Sequence, residues 1–244
     1  MISVFSFWWF FLLALTVAGL TVCPLLMKTT TSRKRFLIAG GIFVFVYLFF
    51  YKYALWLNPA YETDPWNELP LNLCNLAALL VVFGVKTDNR ALKSFCYLNC
   101  TIGALVACIF PEAAFDGVPM LSARGIGFWG YHFMVLFLCV SLVTLDEYTP
   151  KYKDLLYAVP LFFACACVMH GVNTLFRATG LSPIANYFFT YGLEGNALAD
   201  LAYNILPIPL IWEVLMLPPC AAVEAVIIFL TRLCLKLRRR VHAA

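Results

Sequence analysis

Polar and apolar positions in this chain segregate into whole segments rather than alternating residue by residue. Seven apolar stretches, at 3–27, 36–57, 69–85, 91–110, 125–145, 154–174 and 208–235, are separated by polar connections. Each approaches or exceeds the roughly 20 residues a helix needs to cross the hydrocarbon core of a bilayer. Inside hydrocarbon a spanning segment must satisfy its own backbone, and an apolar run of this length does so as a helix. The pattern predicts an all-α polytopic membrane bundle of seven transmembrane helices, a single domain over residues 1–244. The first stretch is too long for a signal-peptide core and its leading residues, Met-Ile-Ser-Val, carry no positive charge, so it reads as a spanning anchor.

Charge orients the bundle. Lys28, Arg33, Lys34 and Arg35 lie in the first connection, Lys86, Arg90 and Lys93 in or beside the third, and Lys151 and Lys153 in the fifth. Arg232, Lys236, Arg238, Arg239 and Arg240 lie at the C-terminal end, whereas the even connections hold only Arg124 and Arg177. The positive-inside rule then predicts the N-terminus outside and the C-terminus cytoplasmic. The tail 236–244 reads as stop-transfer charge against anionic headgroups, and no nucleic-acid partner is expected. The sixth connection, residues 175–207, is external and long enough to serve as a lid-like loop.

Composition agrees: 63% of residues are hydrophobic and 12% charged, against about 25% charged in soluble domains. The ten cysteines are scattered, nearly all within apolar runs, and none forms a Cys-x-x-Cys pair. Buried thiols behave as small hydrophobes, so neither a disulfide framework, a metal site nor a cofactor is expected.

Topology fixes depth. Cys74 enters five residues into the third stretch and His132 seven into the fifth, which is roughly 8 and 11 Å at 1.5 Å per residue. Glu213 sits at a similar depth in the seventh stretch, and His170 and Asn173 share one face near the outer end of the sixth. Asn72 and Asn75 flank Cys74, and Pro70 falls in the first turn of that helix. The pair Pro218-Pro219 predicts a kink or break in the seventh helix, between Glu213 and Glu224. Each polar group has an ordinary meaning too: a cysteine or histidine packed in the core, asparagines joining helices by hydrogen bonds, a neutral structural carboxyl. The shared depth of Cys74 and His132 raises a nucleophile–base pair beside those readings.

These residues also carry a resemblance. Leu69-Pro-Leu-Asn-Leu-Cys-Asn-Leu76, Asn89-Arg90, His132, Asn173-Thr-Leu-Phe-Arg-Ala-Thr-Gly180, Asn186-Tyr-Phe-Phe189 and Leu206-Pro-Ile-Pro-Leu-Ile-Trp212, in that order, resemble the YwaF-like integral membrane family. An animal relative in that family is an acyltransferase of ether phospholipids, dependent on a cysteine in the helix matching the third stretch. The resemblance implies Cys74 as the nucleophile and His132 as the family histidine. Many bacterial members carry His where this chain has Asn72, a departure that removes a second base or phosphate partner. The expectation is a lipid acyltransferase or transacylase of the cell membrane, the bacterial plasma membrane by this resemblance, acting without CoA on membrane phospholipid. Cys74 and His132 would be catalytic, with Asn72, Asn75, His170, Asn173 and Glu213 around the substrate. Two other classes stay open: a small-solute transporter or channel using Glu213 and Glu224, and a non-catalytic scaffold.

Overall fold

The computed structural model describes residues 1–59, 61, 64–66, 68–111, 115–192 and 197–241, with side chains for all of these except 197, 198 and 239–241. Part of the predicted basic tail (Arg239, Arg240 and residues 242–244) and residues 193–196 of the predicted lid therefore lie outside the described side chains. Among the described residues the chain is all-helical, with one isolated bridge, Ile2 to Val118, and no strand.

Among the described residues, six helical spans are long and apolar enough to cross a membrane. Two are single helices, α1 (Phe7–Leu26) and α2 (Thr30–Leu57). The next pairs α4 (Arg90–Phe95) with α5 (Thr101–Ile109) through a π turn at Cys96–Cys100. Another π turn, Gly125–Gly130, leads into α6 (Tyr131–Thr144). A 3₁₀ turn at Tyr152–Asp154 opens α7 (Leu155–Ala178), and α9 (Glu213–Val241) is the last. Two shorter helices complete the set: α3 (Leu73–Lys86), 14 residues long, and α8 (Ala197–Ile205).

Local chemistry sets the boundaries and moves several of them. Ser6 accepts a hydrogen bond from Trp9 N and starts α1. Thr29 and Ser32 form a capping box, so α2 begins at Thr30 and draws Arg33, Lys34 and Arg35 into its first turns. Helix α3 begins later than its apolar stretch. Leu71 N turns back to Leu69 O and Asn72 is the N-cap, which leaves Pro70 ahead of the helix rather than in its first turn. The predicted break at Pro218-Pro219 is absent, since α9 runs through both prolines. They stand in its second turn, where the missing N–H groups deprive only the carbonyls of Val214 and Leu215 of their i+4 donors. Residues 206–212 are a turn instead, with Leu210 at φ 67, so Glu213 is the first residue of its helix.

Helix α6 is the hub, packed against α1, α2, α3 and α5. Trp129, Tyr131, Leu138 and Leu142 fill the centre. Close approach depends on glycine: a Cβ on Gly41 of α2 would stand 2.9 Å from the Ala78 carbonyl oxygen of α3. The outer faces are apolar, with Phe7, Phe10, Phe11, Leu15 and Val22 exposed on α1 and Val223, Val226, Phe229 and Leu233 on α9. Such faces suit lipid rather than water.

Polar bonds tie the connections into two sets. Arg33 and Asp146 join the first connection to the fifth at 3.1 Å, Arg90 grips Asp154 through Nε and Nη2 at 2.8 and 2.7 Å, and Arg238 reaches Asp146 at 3.9 Å. Burial pushes the Glu147 carboxyl above its usual range, against the opposing pull of Lys34, 4.0 Å away. The second set links Ile2 N to Val118 O at 2.7 Å, Ser182 Oγ to Asp64, Lys52 to Glu68, and Tyr187 Oη to Trp66 O.

Candidate functional site

Cys74 is the second residue of α3, half-buried in its first turn, just ahead of the first bonds to the Asn72 carbonyl, from Asn75 N and Leu76 N. Its sulfur faces α5, where a Cβ on Gly103 would come within 3.4 Å of it. Tyr131 of α6, 1% exposed, donates from its hydroxyl to the Cys74 carbonyl at 2.8 Å and so fastens the start of α3 to the start of α6.

His132 follows Tyr131 directly and is also half-buried. Its Nδ1 lies 2.8 Å from Phe128 O, one turn back. A carbonyl only accepts, so Nδ1 carries the proton of the neutral ring and Nε2 presents a lone pair. The ring lies 4.4 Å from that of Phe128, which stacks on Phe115 at 4.3 Å. The histidine's hydrogen bond thus goes to its own helix and not to the thiol.

The asparagines and His170 converge on the sixth connection. Asn173, fully buried, donates from Nδ2 to Tyr187 O at 2.9 Å and to Thr190 Oγ1 at 3.0 Å, and accepts from Tyr187 N at 2.8 Å. His170 Nδ1 meets Thr190 Oγ1 at 3.0 Å while its ring stacks on Tyr191 at 5.1 Å. These two residues do share the face that their i, i+3 spacing predicts. Asn72 occupies the N-cap position of α3, but its side chain makes no capping bond; its Oδ1 accepts instead from Phe188 N at 3.1 Å. Three of the residues singled out by sequence therefore hold residues 187–190. Asn75 is buried on α3, one turn from the cap, its N–H bonded to Asn72 O at 2.9 Å.

The segment they hold is strained: Phe188 and Phe189 both have positive φ, 56° and 58°, at a cost of about 1–3 kcal/mol each. Arg177 adds a bond from Nε to Ala185 O at 2.8 Å and lies 4.0 Å from the Tyr191 ring centre. Gly180, at φ 72, ends α7 where a side chain would be strained. The segment expected as a lid begins with four residues of α7, and its residues 185–190 are bonded to α3 and α7. Burial pushes the Tyr187 phenol up to about 12, so it stays a donor to Trp66 O. Sequence reading missed Thr190, whose hydroxyl meets His170 and Asn173 and whose carbonyl accepts from Leu210 N at 2.6 Å and Trp212 Nε1 at 3.3 Å. A threonine inside an aromatic run gives no signal of that kind. Tyr131, in an apolar helix, gives no sequence signal for its bond to Cys74 O either.

Glu213 and Glu224 are buried on α9 at 3% and 1% exposure, and none of their four carboxyl oxygens has a hydrogen-bond partner. Glu213 directly follows Trp212, whose indole donates to Thr190 O at 3.3 Å.

A family model described as the TMEM164 family matches residues 2–202. No curated protein and no solved structure matches the chain.

Proposed function

The chain belongs to the TMEM164 family, and for this multi-pass membrane protein we propose acyl transfer between membrane phospholipids, with Cys74 as nucleophile and His132 as base. What supports the reading is a half-buried thiol in the first turn of α3 and, on the neighbouring α6, an imidazole whose Nε2 is left as acceptor by the Nδ1 contact to Phe128 O. Tyr131, next to that imidazole in sequence, donates to the Cys74 carbonyl, so the helices that carry the thiol and the imidazole are in direct contact.

In the proposed reaction Nε2 takes the thiol proton and the sulfur attacks the ester carbonyl of a phospholipid. The carbon–oxygen bond breaks, the imidazolium returns its proton to the leaving oxygen, and a lysophospholipid departs from an acyl-Cys74 thioester. A second lysophospholipid hydroxyl, deprotonated by His132, attacks the thioester and restores the thiol. The N–H groups of Leu73 and Cys74, which precede the first bonds to Asn72 O, would be the donors for the anionic tetrahedral oxygen. Residues 181–192 cover the lipid headgroup, with Asn72, His170 and Asn173 holding the cover in place. Asn75 lines the wall, and Glu213 closes the far side.

The proposed topology has seven crossings in one domain, with α3 the short one, the N-terminus outside and the basic tail in the cytoplasm. The two sets of polar ties support it: one gathers the first, third and fifth connections and Arg238, the other the N-terminus with the second, fourth and sixth. An outward-facing site is remote from cytosolic CoA, which favours a phospholipid acyl donor in the plasma membrane.

The test is purified protein in phospholipid vesicles with one acyl chain labelled. Wild type exchanges label into added lysophospholipid and accumulates a hydroxylamine-sensitive acyl-protein. Cys74→Ala loses both, and His132→Gln slows exchange by about 10²–10⁴-fold. Exchange by Cys74→Ala at the wild-type rate ends the proposal.

A further inference from the structure

We propose that one face of α9 is a proton pathway through the membrane, with Glu213 and Glu224 as its carrying groups. Glu213, Cys220, Glu224 and Thr231 succeed one another at intervals of seven, four and seven residues. At 3.6 residues per turn all four stay within about 20° of one line down the helix. Both carboxyl groups are almost fully buried with every oxygen unpartnered. A lone charge in such a place is costly, and a carboxyl can shed it by taking up a proton.

The line continues beyond α9. Thr231 Oγ1 shares a 2.6 Å hydrogen bond with Tyr97 Oη of the Cys96–Cys100 turn, and the Tyr97 ring lies 5.7 Å from that of Tyr148. Tyr148 donates to Asp154 Oδ2 at 2.7 Å, within the grip of Arg90. At the other end Glu213 follows Trp212, whose indole is bonded to Thr190 O. Polar groups thus extend from Thr190 to the ion-paired end.

A metal ion does not fit this arrangement. A hard cation gathers six or more oxygens at one point, whereas the carboxyls are eleven residues apart, about 16 Å along the axis. No group of three metal-ligating side chains occurs among the described residues. On α9 itself Cys220 stands between the two carboxyls. Of the elements packed against α9, the Cys96–Cys100 turn carries Tyr97, engaged with Thr231, and two thiols; α8 carries Tyr203, edge-on to Trp212, and Asp200; and α7 carries Tyr157, Cys165, Cys167, Arg177 and His170, the last bonded to Thr190. Among the described residues no side chain or backbone group hydrogen-bonds to either carboxyl. Each transfer moves a proton from a carboxylic O–H to water admitted to the file and on to the next carboxylate, with no redox change. Cys74 and His132 take no part.

The experiment uses the full chain in liposomes enclosing a pH-sensitive dye, with a potassium diffusion potential set by valinomycin. Wild type acidifies the lumen well above protein-free vesicles, Glu224→Gln lowers that rate at least tenfold, Glu224→Asp restores part of it, and Cys74→Ala keeps it. Dicyclohexylcarbodiimide added to wild type modifies Glu224, read by mass spectrometry, and blocks the flux. Wild-type flux no greater than that of empty vesicles overturns the proposal, as does flux untouched by Glu224→Gln or by complete carbodiimide modification. Acyl exchange measured on the same preparations separates this outcome from that of the acyl-transfer reading.

Discussion

Replacing Asn173 with alanine removes three hydrogen bonds at once and tests what holds residues 187–190 against α7. The amide donates at 2.9 and 3.0 Å and accepts at 2.8 Å, and its side chain is fully buried. A net hydrogen bond contributes about 1 kcal/mol, or about 0.6 between helices in a membrane. Tyr187 N–H and C=O are left without their partner in a buried place, which brings the expected loss to about 2–4 kcal/mol. Strain at Phe188 and Phe189 acts in the same direction, because a backbone held at positive φ relaxes once its clamp is gone. For a chain of this size the loss corresponds to a fall of roughly 5–15 °C in melting temperature. The assay is thermal unfolding in detergent followed by tryptophan emission, since Trp212 and Trp66 both bond to residues 187–190, combined with limited proteolysis between residues 181 and 192. Asn173→Asp keeps the acceptor for Tyr187 N and is expected to fall between alanine and wild type. A melting temperature within about 1 °C of wild type, together with an unchanged digestion rate, refutes the clamp.

Glycine positions give a paired prediction. Gly125→Ala drives a methyl to 2.2 Å from Pro119 O and 2.5 Å from Met120 O, both backbone, and is expected to cost more than about 2 kcal/mol; Gly171→Ala meets nothing within 4 Å on α7 and is expected to gain up to about 1 kcal/mol in the same melts. Asp154→Asn removes the charge that Arg90 grips and an acceptor shared by Tyr148 and Lys151 N, and a loss of about 3 kcal/mol follows from breaking a buried pair on one side; an unchanged denaturation midpoint contradicts this. Topology is checked by membrane-impermeant maleimide on a cysteine-free background, where Asp116→Cys labels in intact cells and Asp146→Cys labels only after permeabilisation. The reverse pattern inverts the proposed orientation.

Hydrophobicity alone determined the class of this protein. Apolar runs near 20 residues cannot be solvated and must form spanning helices, and six such spans are present with α3 as a shorter seventh apolar helix. The i, i+3 spacing also placed His170 and Asn173 on one face, because helix geometry is local. Other outcomes depended on neighbours distant in sequence. Whether Asn72 caps its own helix or serves Phe188 was decided by a segment more than a hundred residues away, and no local pattern encodes that choice. The double proline looked like a break in isolation, but a helix loses little in its second turn, and the start of α9 was set by the turn at Leu210 bonded to Thr190. The partnerless state of Glu213 and Glu224 is likewise tertiary: spacing aligns them on one face, but only the packing of α7, α8 and the Cys96–Cys100 turn against α9 determines that nothing answers their oxygens.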